Sequence, residues 1–146
     1  MRKLLKFLLI LTPILMNTST ATISAPETVV ELSIADLIPR VKRVRGLPAS
    51  YGAEVARVLN SQRAKINDCL SLAESNQLSL SVDISIETMG RPREVVTTFL
   101  KPPLGLQDNL AARCVCALLR QTKYPQHPLT STVSVKLPLS FQRETL

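Results

Sequence analysis

Three cysteines are the residues of this chain whose type and spacing suggest chemistry most directly. Cys69 lies on one predicted amphipathic helix, and Cys114 and Cys116 lie on a second. Successive helical residues advance by about 100°, so Cys114 and Cys116 point about 200° apart and only one of them can face the core. The apolar positions of the two helices select Cys69 and Cys114 for the core, and therefore for a disulfide bond in an oxidising compartment.

A disulfide between these helices would close a long loop and stabilise the fold by about 4 kcal/mol in the chain-entropy model. Cys116 is then left over, and we expect it to be a free thiol or to cross-link two copies of the chain. The rival interpretation of Cys116 is an activated thiol in a cysteine-dependent envelope enzyme.

Residue types for metal binding or catalysis are sparse in this sequence. Two cysteines spaced Cys-x-Cys on a helix direct their sulfurs apart, and His127 is the only histidine. It lies between Gln126 and Pro128, where we expect a solvent-exposed loop histidine without a catalytic role. There is no Cys-x-x-Cys pair and no glycine-rich phosphate loop. The sequence therefore predicts a protein that is not an enzyme and has neither a metal site nor a cofactor.

Residues 1–21 have the pattern of a secretory signal peptide. Arg2, Lys3 and Lys6 precede an apolar run, and small residues around Ala21 form a cleavage site. The apolar run is shorter than the roughly 20 residues needed to span a bilayer. We expect cleavage after Ala21 and export to the periplasm. The alternative is a retained anchor in the inner membrane, with the remaining chain facing the periplasm.

The charge of the chain depends on this leader. Removing residues 1–21 takes away three of the 18 basic residues and none of the 11 acidic ones, which lowers the net charge from +7 to +4. Tryptophan is absent and aromatic residues make up 3% of the chain. Nucleic-acid binding lacks its usual stacking residues and is not expected.

Residues 22–47 are predicted to be a mobile N-terminal segment ahead of a domain at 48–146. Four cations fall within six positions of this segment, namely Arg40, Lys42, Arg43 and Arg45. A solvated linker explains them most simply. The alternative is contact with an anionic surface such as lipid headgroups, where each cation contributes about 1 kcal/mol.

Hydrophobic periodicity predicts two helices and three strands in the domain. Apolar residues recur at helical spacing over residues 50–76 and again over residues 107–122. Apolar and polar residues alternate over residues 78–86, 94–100 and 131–142, as in strands with one buried face. The predicted order is therefore helix, strand, strand, helix, strand.

This α-β-β-α-β order predicts an α+β fold in which two helices pack on one face of a three-stranded antiparallel sheet. Gly90 can adopt the positive φ of a tight hairpin, which pairs the first two strands. The second helix crosses over and returns the third strand beside the first, giving strand order 2-1-3. Pro138 has no N–H group and should face the free side of the third strand.

The free side of the third strand is the candidate binding site. Unpaired backbone groups at a sheet edge can accept an extra strand from a protein partner. The predicted partner-binding residues are Ser131, Thr132, Val133, Ser134, Val135 and Lys136.

Several motifs occur in a fixed order along the domain. They are Ile66-Asn67-Asp68-Cys69, Val82-Asp83-Ile84-Ser85-Ile86, Gly90-Arg91-Pro92, Asp108 to Cys114, Tyr124-Pro125 and Leu137-Pro138-Leu139-Ser140-Phe141. Over about residues 60–141 this set resembles the TonB C-terminal-like domain, particularly its AgmX/PglI C-terminal variant. The resemblance implies a periplasmic binding domain without catalysis, and it also favours Cys114 over Cys116 as the bonded cysteine.

The segment before the domain separates this chain from TonB proper, which keeps a membrane helix and a long proline-rich spacer. Here the leader looks cleavable and the spacer is short. We therefore expect a non-catalytic adaptor of the cell envelope that binds a protein partner by strand addition. The alternative function is a signal-anchored, TonB-like component of energy transduction.

Overall fold

The computed structural model describes residues 30–34 and 37–145. The predicted signal peptide, its cleavage site and part of the predicted mobile segment lie outside the described residues. Residues Glu31–Glu144 form one compact unit, which contains all the buried residues of the described core. No helix in the described part of the chain has the length and apolar character needed to cross a membrane.

The described residues form five strands and three helices. In chain order these are β1 (Val30–Ile34), β2 (Arg40–Val41), α1 (Tyr51–Ser61), α2 (Arg63–Leu70), β3 (Gln77–Ile86), β4 (Pro92–Phe99), α3 (Leu106–Arg120) and β5 (Val133–Thr145). The sheet order is β1-β5-β3-β4, and β2 also pairs with β5.

The α+β class is confirmed, and so is the predicted order of the three long strands. β3 lies between β4 and β5 and is antiparallel to both. The predicted layout of three strands and two helices was nevertheless incomplete. Two short strands ahead of the domain join the sheet, and the predicted first helix is divided into α1 and α2 at Gln62. Gln62 has φ −97° and ψ 6°, which interrupts the helix without a glycine or proline to mark the break in the sequence.

The core lies between the inner face of the sheet and the helices. Alternate residues of β3 and β5 point into it, as their period of two predicts. The fully or nearly fully buried strand residues are Leu78, Leu80, Val82, Ile84, Ile86, Val133, Val135, Leu137, Leu139 and Phe141. The opposite face of the sheet is polar, with exposed Ser134 and Lys136 on β5.

Residues before the predicted domain boundary at residue 48 pack within the same compact unit as the residues after it. Leu37 is buried, and its backbone N–H and C=O both bond the side chain of Asn60 on α1, at 3.1 and 3.0 Å. Val41 and Leu47 pack against the core. From residue 37 onward, the segment expected to be mobile is therefore docked on the domain.

Helix α3 is rotated relative to its predicted orientation. Cys114 was expected at the centre of the buried stripe, but Ala111, Val115 and Leu119 occupy it and Cys114 is half-buried. One residue corresponds to about 100° of helix rotation. Leu110 keeps 38% of its surface exposed, whereas Asp108 is buried on the first turn.

Candidate functional site

The predicted disulfide is present and joins α2 to α3. Cys69 and Cys114 are bonded, with their Cα atoms 5.3 Å apart. The rotation of α3 explains how both cysteines of that helix are used. Val115 faces the core, so Cys114 flanks it on the side of α2 and Cys116 flanks it on the side of β4. The expectation that one of the two would face the core was therefore wrong, although the pairing was right.

Cys116 is a free, half-buried cysteine whose thiol donates a hydrogen bond to the backbone oxygen of Val95, at 3.3 Å. The side chain of Arg120 reaches the same oxygen at 3.5 Å. Val95 is on β4, where it lies opposite Ile84 in the ladder. The thiol therefore completes the backbone hydrogen bonding of an edge strand.

His127 is buried rather than exposed, so the expectation of a solvated loop histidine was wrong. Its Nε2 lies 2.9 Å from the oxygen of Ile86, and its Nδ1 accepts the N–H of Leu129 at 3.2 Å. Since Nδ1 is an acceptor, the proton sits on Nε2 and is donated to Ile86. The ring also meets Tyr51 edge to face, with centroids 5.7 Å apart. Both ring nitrogens are engaged by backbone groups, and this arrangement fixes the loop before β5.

The described residues offer no other grouping for chemistry. Among them there is no cluster of three or more His, Cys, Asp or Glu side chains able to hold a metal ion. The hydrogen bonds of His127 lead to backbone groups, and that of Cys116 leads to Val95.

The edge of β5 predicted to be free is occupied by the chain's own N-terminal segment. Arg40 lies opposite Lys136 and Val41 opposite Val135, and the N–H of Lys42 donates to the oxygen of Ser134 at 2.9 Å. The assumption of unpaired backbone groups at residues 134–136 was therefore wrong. The prediction of a binding edge had omitted the two short strands, since β2 contains too few residues to give an alternating pattern.

The remaining predicted partner-binding residues lie around the start of β5. Ser131 and Thr132 precede the strand, which begins at Val133, and they line a shallow pocket together with Met89 and Arg93. Val133 is buried in the core. The predicted stretch 131–136 is therefore divided between a surface loop and a paired strand.

Pro138 limits how far the pairing of β2 with β5 can extend. In the register of β2, residue 38 falls opposite Pro138, which has no N–H to offer. Pro39 follows Ile38 and also lacks an N–H. Residues 37–39 are accordingly not in a strand, and β2 begins at Arg40. Pro138 faces the outer side of β5, as predicted, but that side of the strand pairs with β1 and β2.

The cations predicted to meet an anionic surface are exposed. Arg40, Lys42, Arg43 and Arg45 all lie on the surface beside β2. Hydrogen bonding connects this region with the β3–β4 turn. Ser134, which bonds Lys42, pairs with Ser85 of β3, and Ser85 pairs with Glu94 of β4. Two further cations that the sequence analysis did not include, Arg91 and Arg93, are exposed beside this turn.

We call this region the turn end, defined by Lys42, Arg43, Val44, Arg45, Met89, Arg91 and Arg93. Its two halves are separated in sequence by more than 40 residues. Adjacent strands lie about 4.8 Å apart, so the three steps from β2 to β4 cover about 15 Å. Charge clustering in sequence had indicated only the half at 40–45.

A buried carboxylate at the other end of the sheet was also missed by the sequence analysis. Asp108 on the first turn of α3 accepts hydrogen bonds from the N–H groups of Glu74, Ser75 and Leu104, and from the Ser75 hydroxyl. Burial raises the pKa of Asp108, but these four hydrogen bonds outweigh that effect and hold the pKa below its ordinary value. Its position in the first turn of a helix was the available signal.

Comparison with protein-family models, with curated proteins and with solved structures found no match. The resemblance to the TonB C-terminal-like domain stays a prediction from the motifs.

Proposed function

We propose that this protein is a non-catalytic binding module of the cell envelope, which accepts a strand from a protein partner at β5 in place of its own β2. The observation that carries this proposal is the weakness of the covering pair. β2 has two residues, against ten ladder pairs between β5 and β3 on the other side. A strand of two residues that begins directly after a proline contributes few hydrogen bonds, and its displacement costs little free energy.

The partner would pair with residues 134–136, the stretch that β2 covers. An incoming strand can exploit the outward backbone groups of Ser134 and Lys136. In the free protein the Ser134 oxygen accepts the N–H of Lys42, and Lys136 pairs with Arg40 of β2. In strand addition, main-chain hydrogen bonds provide affinity and alternate side chains provide specificity. The segment Val30–Lys42 then serves as an internal competitor, which keeps the edge from aggregating before the partner arrives.

A cross-link across β2 and β5 tests the exchange. Val41 and Val135 form a non-hydrogen-bonded pair, where Cα atoms of antiparallel strands lie about 4.5 Å apart and a disulfide can form. The variant Val41→Cys/Val135→Cys, in a Cys116→Ser background, should lose binding to a synthetic peptide of residues 30–42. The Cys116→Ser protein without the cross-link should exchange its own segment for the labelled peptide.

A second variant provides the opposite effect. Asn60→Ala removes both hydrogen bonds to Leu37, so the covering segment should detach more often and peptide binding should become tighter. Equal peptide binding by the cross-linked and uncross-linked proteins would refute the proposed exchange. Failure of the Asn60→Ala protein to gain affinity, with an unchanged circular dichroism spectrum, would refute it independently. The two variants also predict opposite changes in the capture of partners from envelope extract.

A further inference from the structure

We infer that the turn end binds the surface of an anionic phospholipid bilayer. The five cations of this region, Lys42, Arg43, Arg45, Arg91 and Arg93, are all exposed. None of the five makes an ion pair with another of the residues that the structure describes. Their charges are therefore available to an external anion. The Debye length is about 10 Å at 0.1 M salt, so screening between the cations at 42–45 and those at 91–93 is only partial.

The local balance of charge favours an anionic ligand. Arg40 and Lys136 lie next to these five cations across β2 and β5, which brings the group to seven. Three carboxylates are nearby. Glu87 and Glu94 flank the turn, and Asp83 is 3.8 Å from the ammonium group of Lys136. A net positive surface remains after these are counted.

Two apolar side chains stand among the cations and distinguish a bilayer from an acidic protein. Met89 at the tip of the β3–β4 turn is 64% exposed, and Val44 between Arg43 and Arg45 is 42% exposed. Exposed apolar side chains interspersed with Lys and Arg are typical of surfaces that lie at the boundary of headgroups and acyl chains. Arg43 also lines, with Val41, Val44 and Leu47, a shallow pocket of about 220 Å³.

The geometry of a bilayer also fits two cationic groups at a fixed separation. A membrane presents anionic headgroups over its whole surface, so both halves of the turn end can be in contact without any particular register of the ligand. A single cation near such a surface contributes about fivefold in affinity. Met89 and Val44 are the exposed apolar side chains that would reach into the boundary between headgroups and acyl chains.

Vesicle sedimentation tests the inference with the chain from Thr22 to Leu146, which contains the compact unit Glu31–Glu144 and lacks the apolar leader. It should bind vesicles of phosphatidylcholine with phosphatidylglycerol, and not vesicles of phosphatidylcholine alone. Raising salt from about 0.1 M to about 1 M, which shortens the Debye length to about 3 Å, should release it.

Charge reversal locates the contact. The variant Arg43→Glu/Arg45→Glu/Arg91→Glu/Arg93→Glu should bind at least about 100-fold more weakly. A matched control reverses four exposed cations on the rest of the surface, in Arg57→Glu/Lys65→Glu/Lys101→Glu/Arg113→Glu. It has the same net charge and should lose no more than about fivefold. Equal losses in the two variants would show attraction by total charge and overturn the assignment.

Two further results would also overturn it. The leucines Leu104 and Leu106 at the opposite end of the sheet are 72% and 70% exposed. If Leu104→Ser/Leu106→Ser abolishes vesicle binding while the turn-end variant retains it, the bilayer contacts that other end. Binding to polyglutamate without binding to anionic vesicles would identify an acidic polypeptide as the ligand instead. The cross-linked Val41→Cys/Val135→Cys protein keeps the turn end intact and should retain vesicle binding, so the outcome is independent of strand exchange.

Discussion

The two ends of the sheet are closed by different kinds of interaction. At the end that carries the β3–β4 turn, neutral side chains and backbone groups form the hydrogen bonds between the loops. The N–H of Tyr124 donates to Gly90, that of His127 donates to Thr88, and the Thr88 hydroxyl donates to Leu129. At the other end, charged side chains bond backbone groups of the connecting loops. We call this second region the connection end, comprising residues 71–76 and 100–105 with Asp108 and Arg143.

Arg143 complements Asp108 at the connection end. Its guanidinium donates to the oxygens of Ser71 and Ala73, at 3.1 and 2.7 Å, while Asp108 accepts from the N–H groups that follow. One loop thus has its carbonyl groups and its N–H groups satisfied by opposite charges. Hydrogen bonds to ionised groups are about twice as strong as neutral ones. The stability of one end therefore depends on close approach of backbone segments, and that of the other on ionised side chains.

The disulfide that joins α2 to α3 should make the largest contribution to the free energy of unfolding. Reducing the Cys69–Cys114 bond, or replacing both residues by Ser, should lower the free energy of unfolding by about 4 kcal/mol. Thermal unfolding followed by circular dichroism measures the loss. Cys116→Ser is the matched control, and it should change stability by less than about 1 kcal/mol, since one weak S–H donor is removed. Equal effects of the two substitutions would contradict the assigned pairing.

Around the β3–β4 turn, substitution of Gly90 should reduce stability most. Its φ is +91°, and an added Cβ would lie 2.1 Å from the backbone oxygen of Tyr124. Gly90→Ala should therefore cost about 3 kcal/mol, through both the strained backbone and the displaced loop. Gly46 offers a control with φ +93°, where the added Cβ meets only a flexible side-chain atom of Leu129 at 3.2 Å. Gly46→Ala should cost about 1 kcal/mol. If urea unfolding shows that Gly46→Ala is the more destabilising substitution, the close approach of Tyr124 to Gly90 does not limit stability here.

Acid should destabilise the connection end in particular, because Asp108 stabilises it only while ionised. The pKa of Asp108 is lower in the folded chain than in the unfolded chain. Its stabilisation is therefore complete above the unfolded pKa of about 3.9 and is lost as pH falls through the lower folded pKa. Asp108→Asn should destabilise the protein by about 2 kcal/mol at pH 7 and flatten this acid dependence. Urea unfolding between neutral and acidic pH tests both effects, with Asp68→Asn as an exposed control. An unchanged acid dependence in Asp108→Asn would exclude this carboxylate as its source.

The smallest effect concerns the pairing of β2 with β5. The outward N–H of Lys136 bonds β2, whereas the N–H groups of Val135 and Leu137 bond β3. Under strand exchange, the Lys136 amide should exchange with solvent faster than its two neighbours, and Asn60→Ala should accelerate it alone, by about tenfold. Hydrogen exchange measured by NMR tests this. Equal protection of all three amides would mean that β2 opens only with the whole fold.

Much of the central fold could be predicted because it follows from local periodicity. The alternation in β3 and β5 determines which side chains are buried, and Gly90 marks the turn between β3 and β4. The pairing of Cys69 with Cys114 was also predictable, since each lies close to the apolar stripe of its helix. The predicted pairing was right although α3 is rotated, because Cys114 still lies beside the core in the observed orientation.

The binding surfaces were less predictable, because each depends on residues that are distant in the chain. Nothing in the sequence around Arg91 and Arg93 indicates that they lie at the same end of the sheet as Arg43. Likewise His127, expected in solvent, is buried because Tyr51 and the backbone of Ile86 and Leu129 surround it. Sequence pattern reports what a segment can bury, and it does not report which other segment will cover it.

The α+β class, the order of the three long strands, the disulfide and the polar outer face all follow from the sequence. Those properties depend on side-chain periodicity and on glycines and prolines at particular positions, such as Gly90 and Pro138. The rotation of α3, the burial of His127 and the covering of β5 by β2 became visible only in the folded chain. His127 and β5 bond backbone groups that are far away in the sequence, and such pairing has no local signature.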